Sequence, residues 1–78
     1  MMIVMQDVDR RIGAKLRERR EQLQLSASEV AGTLGLTWEA VIIYEEGWKR
    51  VPSALLLRLA QLYHVMPGYF LADLDPDL

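Results

Sequence analysis

From Asp7 onward, apolar side chains at Val8, Ile12, Leu16 and Leu23 recur at the spacing of one helical face, and nothing interrupts the run before Leu25. The pattern predicts a first helix that Asp7 can cap. Ser26-Ala27-Ser28-Glu29 then reads as a capping box, in which the serine hydroxyl takes the amide of residue 29 and the glutamate reaches back to the amide of Ser26. It opens a short second helix over about residues 27–34 that buries Val30, Ala31 and Leu34 and stops at Gly35, a residue able to adopt the left-handed conformation. Leu36 is a buried joint, and Thr37 caps a third helix over about residues 38–46. Val41 and Tyr44 give that helix its inner face, and Gly47 closes it.

Two helices joined by a three-residue turn containing a glycine make a helix-turn-helix. The loop Trp48-Lys49-Arg50-Val51 leads to Pro52-Ser53, where a proline in the first turn loses nothing because its amide has no partner there anyway. A fourth helix is predicted to run to about Tyr63 with Leu56, Leu59, Ala60 and Tyr63 facing the core. After His64-Val65-Met66, a short fifth helix starts at Pro67 and buries Phe70 or Leu71. No segment has a strand pattern, an internal repeat or low complexity. The expectation is an all-α, five-helix domain over residues 7–72. It follows a flexible or dimer-contacting arm at residues 1–6 and precedes an acidic, fraying tail at residues 73–78.

Composition narrows the function. Seventy-eight residues, 51% of them hydrophobic, suit one small domain that gains from dimerisation. Without cysteine and with a single histidine, disulfides, thiolate sites and multi-histidine metal sites are excluded. His64 closes a helix, where it complements the dipole or faces water. No nucleophile motif, phosphate loop or ligand spacing accompanies it, so no catalytic residue, metal or cofactor is expected. Met1-Met2-Ile3-Val4-Met5 lacks the basic start and length of a signal peptide, and no apolar run reaches the roughly 18 residues of a membrane span. A soluble cytoplasmic protein is expected.

The formal net charge of −2 is unevenly spread. Arg10, Arg11, Lys15, Arg17, Arg19 and Arg20 supply six of the nine positive charges, while setting aside Asp73, Asp75 and Asp77 turns −2 into +1. Such a basic run is most simply a solvated face supported by pairs such as Arg17 with Glu21.

Ile12-Gly13-Ala14-Lys15-Leu16-Arg17-Glu18-Arg19-Arg20, Leu25-Ser26, Val30-Ala31, Leu34-Gly35-Leu36-Thr37, Val41, Tyr44-Glu45 with Gly47 two positions on, Val51, Leu59-Ala60, Val65 and Tyr69-Phe70 together resemble the Cro/repressor-type (XRE) helix-turn-helix family. The resemblance covers about residues 9–72 without a gap. It implies a bacterial or phage regulator, commonly dimeric, whose third helix enters the major groove of double-stranded DNA. The start of the second helix and the loop after the third hold phosphates. It further implies a structural ion pair between Arg20 and Glu45.

On this alignment Trp38, Glu39, Ala40, Ile42 and Ile43 face the groove, and Ser26, Ser28, Thr37, Lys49 and Arg50 are the phosphate ligands. The groove positions depart from the family, whose readers are mostly polar because base edges present donors and acceptors. Here only Glu39 can accept, from a cytosine amino group, while Ala40, Ile43 or Trp38 can touch a thymine methyl. A glutamine common at the start of the second helix is replaced by Ala27, and Glu46 stands where a neutral or basic residue is usual. Weak, salt-dependent DNA binding is therefore expected.

The same substitutions support a different reading. If Trp38, Ile42, Ile43 and Trp48 share one exposed face, the third helix binds a protein partner instead of reading bases. For a homodimer the candidates are Leu55, Leu57 and Leu62 on the fourth helix, Met66 and Tyr69 in the following joint, and the arm Met1–Met5.

Overall fold

The computed structural model describes residues 7–71, so the arm at 1–6 and the tail at 73–78 lie outside the described residues. Within them are four α-helices, α1 (Asp7–Gln22), α2 (Ala27–Leu34), α3 (Trp38–Glu45) and α4 (Ser53–Leu62), followed by a 3₁₀ turn (Pro67–Leu71). The all-α class stands, but the expected fifth helix is this 3₁₀ turn. Five residues opening Pro67-Gly68 are too few for the α-helical hydrogen-bond ladder to repay its nucleation. The turn buries Phe70 and leaves Leu71 exposed. Pro52 sits one position earlier than expected, outside α4, with its carbonyl accepting the Leu56 amide at 2.9 Å.

Helix starts follow the sequence. Ser26 Oγ accepts the Glu29 amide at 3.0 Å and the Ser26 amide donates to Glu29 Oε1 at 2.8 Å, the reciprocal pair that begins α2. Thr37 Oγ1 accepts the Ala40 amide at 3.2 Å to begin α3. Asp7 is already helical, and its carboxylate meets Arg11 at 2.8 Å.

All four helices end alike. Leu25, Leu36, Trp48 and Val65 each donate a backbone amide to the carbonyl five residues earlier, on Arg20, Ala31, Ile43 and Ala60 respectively. The residue before each is left-handed: Gln24 (φ 58°), Gly35 (φ 70°), Gly47 (φ 82°) and His64 (φ 57°). This is the Schellman closure, which satisfies the orphan carbonyls of a helix end; the apolar residue after it is half-buried at Leu25, Leu36 and Val65 and exposed at Trp48.

Leu16, Val30, Ala31, Leu34, Val41, Leu59, Ala60, Tyr63 and Phe70 form the core. Around them α1 lies against α3 so closely that a Cβ on Gly13 would fall 2.3 Å from the Glu45 carbonyl oxygen. Gly47 is confined in the same way, with a Cβ there 2.7 Å from the Arg10 Cα. Two glycines thus let α1 lean on the end of α3, and that contact sets the direction in which α3 presents its outer face.

Candidate nucleic-acid interface

Helix α3 buries Val41 and Glu45, four apart, and turns Ile43 to the opposite side. Glu39 is four residues before Ile43 and shares its outward face, with Glu46 at the far end, while Ala40 and Ile42 flank it half-buried. The helix therefore sets an apolar residue beside a carboxylate on both its buried and its outward sides. Trp38 is 54% exposed at the N-terminal end of the helix, Ile43 is 38% exposed, and Trp48 is 61% exposed beyond the C-terminal end. One shared face for Trp38, Ile42, Ile43 and Trp48 does not form. Trp38 and Ile43 are five residues apart and leave the helix in different directions, and Ile42 turns partly inward. Trp48 instead follows the helix closure at Ile43, and its indole N–H donates to Glu46 Oε1 at 3.2 Å.

The orientation of α3 is locked by an ion pair. Arg20 donates through Nε to Glu45 Oε2 at 2.6 Å and through Nη2 to Oε1 at 3.0 Å, with side chains 11% and 3% exposed. Its third donor reaches the Leu25 carbonyl at 2.9 Å, so one guanidinium joins α1, the turn before α2, and α3. The hydrogen bond to Glu45 raises the Arg20 pKa above its ordinary value, against the opposing effect of burial.

Most of the basic run on α1 has intramolecular work. Arg11 pairs with Asp7, Arg17 with Glu21 at 3.3 Å, and Arg19 donates to the Tyr63 carbonyl at 2.9 Å and to Gln22. Lys15 lies over the Tyr69 ring, 5.1 Å from its centroid. Arg10 differs in place: it is exposed, and its backbone abuts Gly47 beside the Trp48-Lys49-Arg50 loop. Sequence spacing puts Arg10 and Lys49 about forty residues apart, so only the packing of α1 on α3 reveals that they flank one edge.

The expected phosphate ligands are gathered at this edge and at the starts of α2 and α3, with two modifications. Arg50 donates to Asp9 Oδ1 at 3.1 Å, which sets a buried carboxylate against its charge while its side chain stays 68% exposed. Ser26 and Thr37 each accept one backbone amide in their caps, and the hydroxyl proton of each is what can still be donated to a phosphate oxygen. Ser28 and Lys49 are exposed. Glu29 occupies the N-terminus of α2, and the two Ser26 hydrogen bonds hold its carboxyl below the ordinary value of 4.5.

The dimer candidates divide. Leu55, Leu62 and Tyr69 pack against their own core, where Tyr69 meets Phe70 edge to face and donates to Glu18 at 3.3 Å. A small core needs them, which sequence counting did not allow for. Met66, 79% exposed, and Leu57, 52% exposed, remain on the surface. Among the described residues no group of three or more acidic or histidine side chains gathers around a metal position, and no helix is long and apolar enough to cross a membrane.

A match to the helix-turn-helix domain family spans residues 11–69, covering α1 through the 3₁₀ turn. The chain belongs to the helix-turn-helix domain family. The domain is 33% identical over 66 residues to an HTH-type transcriptional regulator of Sinorhizobium fredii (strain NBRC 101917 / NGR234), covering 85% of this chain and 46% of that protein. It is 30% identical over 70 residues to an HTH-type transcriptional regulator of Rhizobium meliloti (strain 1021), covering 90% and 50%. A transcriptional regulator in the ATPase CF(0) region of Rhodospirillum rubrum is 31% identical over 68 residues, covering 87% and 63%. The domain thus spans about half the length of the first relatives. Among solved structures, the crystal structure of FeII HppE in complex with substrate contains a similar region, with a TM-score of 0.73 and 27% identity over 80% of this chain and 33% of that chain.

Proposed function

We propose that the domain is a DNA-binding, non-enzymatic module of a cytoplasmic transcriptional regulator and works as a homodimer. The observation that carries this reading is the capped α2–turn–α3 unit, held on α1 by the Arg20–Glu45 pair, with Arg10, Lys49 and Arg50 beside the end of α3. The outward side of α3 enters the major groove while Ser28, Thr37 and these cations take phosphates. Met66 and Leu57 are the apolar groups offered to a second copy. The names of the relatives support the regulatory role.

Three cations per protomer, about six in the homodimer, imply strong salt dependence, with a slope of log affinity against log salt of about −5. The test is anisotropy of labelled genomic duplex fragments at 50 and 200 mM salt, values chosen at about the range where such slopes are measured. Binding at low salt, with a slope reduced by about 2 in Lys49→Ala because both protomers lose a contact, supports the reading. No binding at either salt overturns it.

The exposure of Trp38 and Trp48 favours a second reading, in which the ends of α3 bind a protein partner. That reading is lost if Trp38→Ala and Trp48→Ala leave the set of co-purified proteins unchanged while DNA fragments are retained.

A further inference from the structure

Resting on the DNA-binding reading, we propose that α3 recognises the C5 methyl group of a pyrimidine through Ile43, about two base pairs from a cytosine amino group taken by Glu39. On the side of α3 opposite the buried Val41 and Glu45, these two residues are exposed one turn apart. Ile43 has no polar atom to offer a base, and the methyl is the apolar group a base pair displays in the major groove. Glu39 has only acceptors, and in the same groove the exocyclic amino groups are the donors that fit them. Four residues rise about 6 Å along the helix, close to two base-pair steps, so the two contacts fall about two pairs apart, within reach of one short site. The rigid seating of α3, through Gly13 on the Glu45 carbonyl and Arg20 on the Glu45 carboxylate, lets a contact without hydrogen bonds still be selective. Such a methyl is carried by thymine or by 5-methylcytosine, and the two sources are separable.

The test uses the full chain and a duplex selected by it at low salt from a random 20-base-pair library, a length of about two helical turns. Thymines in the selected duplex are replaced by uracil, which removes only the methyl, and in a second arm cytosines are replaced by 5-methylcytosine. The expected result is about a fourfold loss of affinity for each contacted thymine methyl removed, the effect of one buried carbon group. A gain of similar size in the second arm assigns the contact to a methylated cytosine. Either response should vanish in Ile43→Ala and persist in Ile43→Val, and Glu39→Gln should move the preferred base at its position from cytosine to adenine. Ile43 is on the surface, so both variants keep the core, which a thermal melt verifies. Equal affinity in all arms overturns methyl recognition while leaving DNA binding intact. If no duplex is retained at any salt, DNA binding fails first and methyl recognition with it.

Discussion

Tyr63 is fully enclosed, yet its hydroxyl has no hydrogen-bond partner among the described residues. Burial raises the phenol pKa well above 10, and the Glu45 carboxylate pushes it in the same direction. An orphaned buried hydroxyl costs free energy that water would otherwise supply, so Tyr63→Phe should raise the stability by about 1 kcal/mol, read from the urea midpoint. The folded pKa is the raised one. Stability from the neutral phenol is therefore complete below pH 10 and is lost as the pH rises above it, and Tyr63→Phe should flatten that alkaline limb. Glu45 presents the opposite case, because every part of its burial is tied to Arg20. Arg20→Met leaves a buried carboxylate without its partner and should cost about 3 kcal/mol in denaturant unfolding. Arg20→Met with Glu45→Leu should recover most of that loss, since the double change removes the charge rather than stranding it.

At the scale of elements, four helices share one way of ending but only two use glycine for it. Gln24 and His64 hold left-handed backbones at which a side chain costs about 1 kcal/mol relative to glycine. Gln24→Gly and His64→Gly should each stabilise by about 0.5 kcal/mol after the added freedom of the unfolded chain is subtracted, measurable as a small rise in Tm. Gly47→Ala should be far more disruptive than Gly35→Ala. Gly47 abuts the Arg10 backbone, whereas the space beside Gly35 is open. Helix α2 brings a pH dependence of its own. The folded pKa of Glu29 is lowered by Ser26, so the capping box contributes fully above pH 4.5 and is lost as the pH falls through the depressed folded value. Amide exchange at the first turn of α2 should accelerate on acidification in the wild type, and should be fast at all pH values in Ser26→Ala.

At the scale of the whole molecule, the six-residue basic run belongs mainly to the scaffold. Arg11, Arg17, Arg19 and Arg20 bind groups of the same chain, and the surface edge that faces outward is built from Arg10 together with Lys49 and with Arg50, which is largely exposed although it also meets Asp9. A weakly charged interface gains most from being doubled, because two linked sites act on one duplex. Sedimentation should show a concentration-dependent dimer, and Met66→Lys should shift it toward monomer and lower DNA affinity without lowering the Tm of the dilute protein.

What the sequence determined by itself is the local grammar. The capping serine and threonine, the glycines at Gly35 and Gly47, and the spacing of Val30, Ala31, Leu34, Val41 and Leu59 set α2, α3 and α4, because caps, left-handed ends and helical faces depend on residues within one turn. The Arg20–Glu45 pair was legible only through the family resemblance, since its members are 25 residues apart. Tertiary packing decided the rest. It put Gln24 and His64 into left-handed conformations that their side chains do not favour, drew Leu55, Leu62 and Tyr69 into the core, and split the apolar positions of α3 between two ends. It also set Asp9 against Arg50 and brought Arg10 to Gly47. The approach of Arg10 to Gly47 and of α1 to Glu45 needs the missing side chains at Gly13 and Gly47, but which backbone fills that space is set by the packing of helices distant in sequence, which no pattern within one turn encodes.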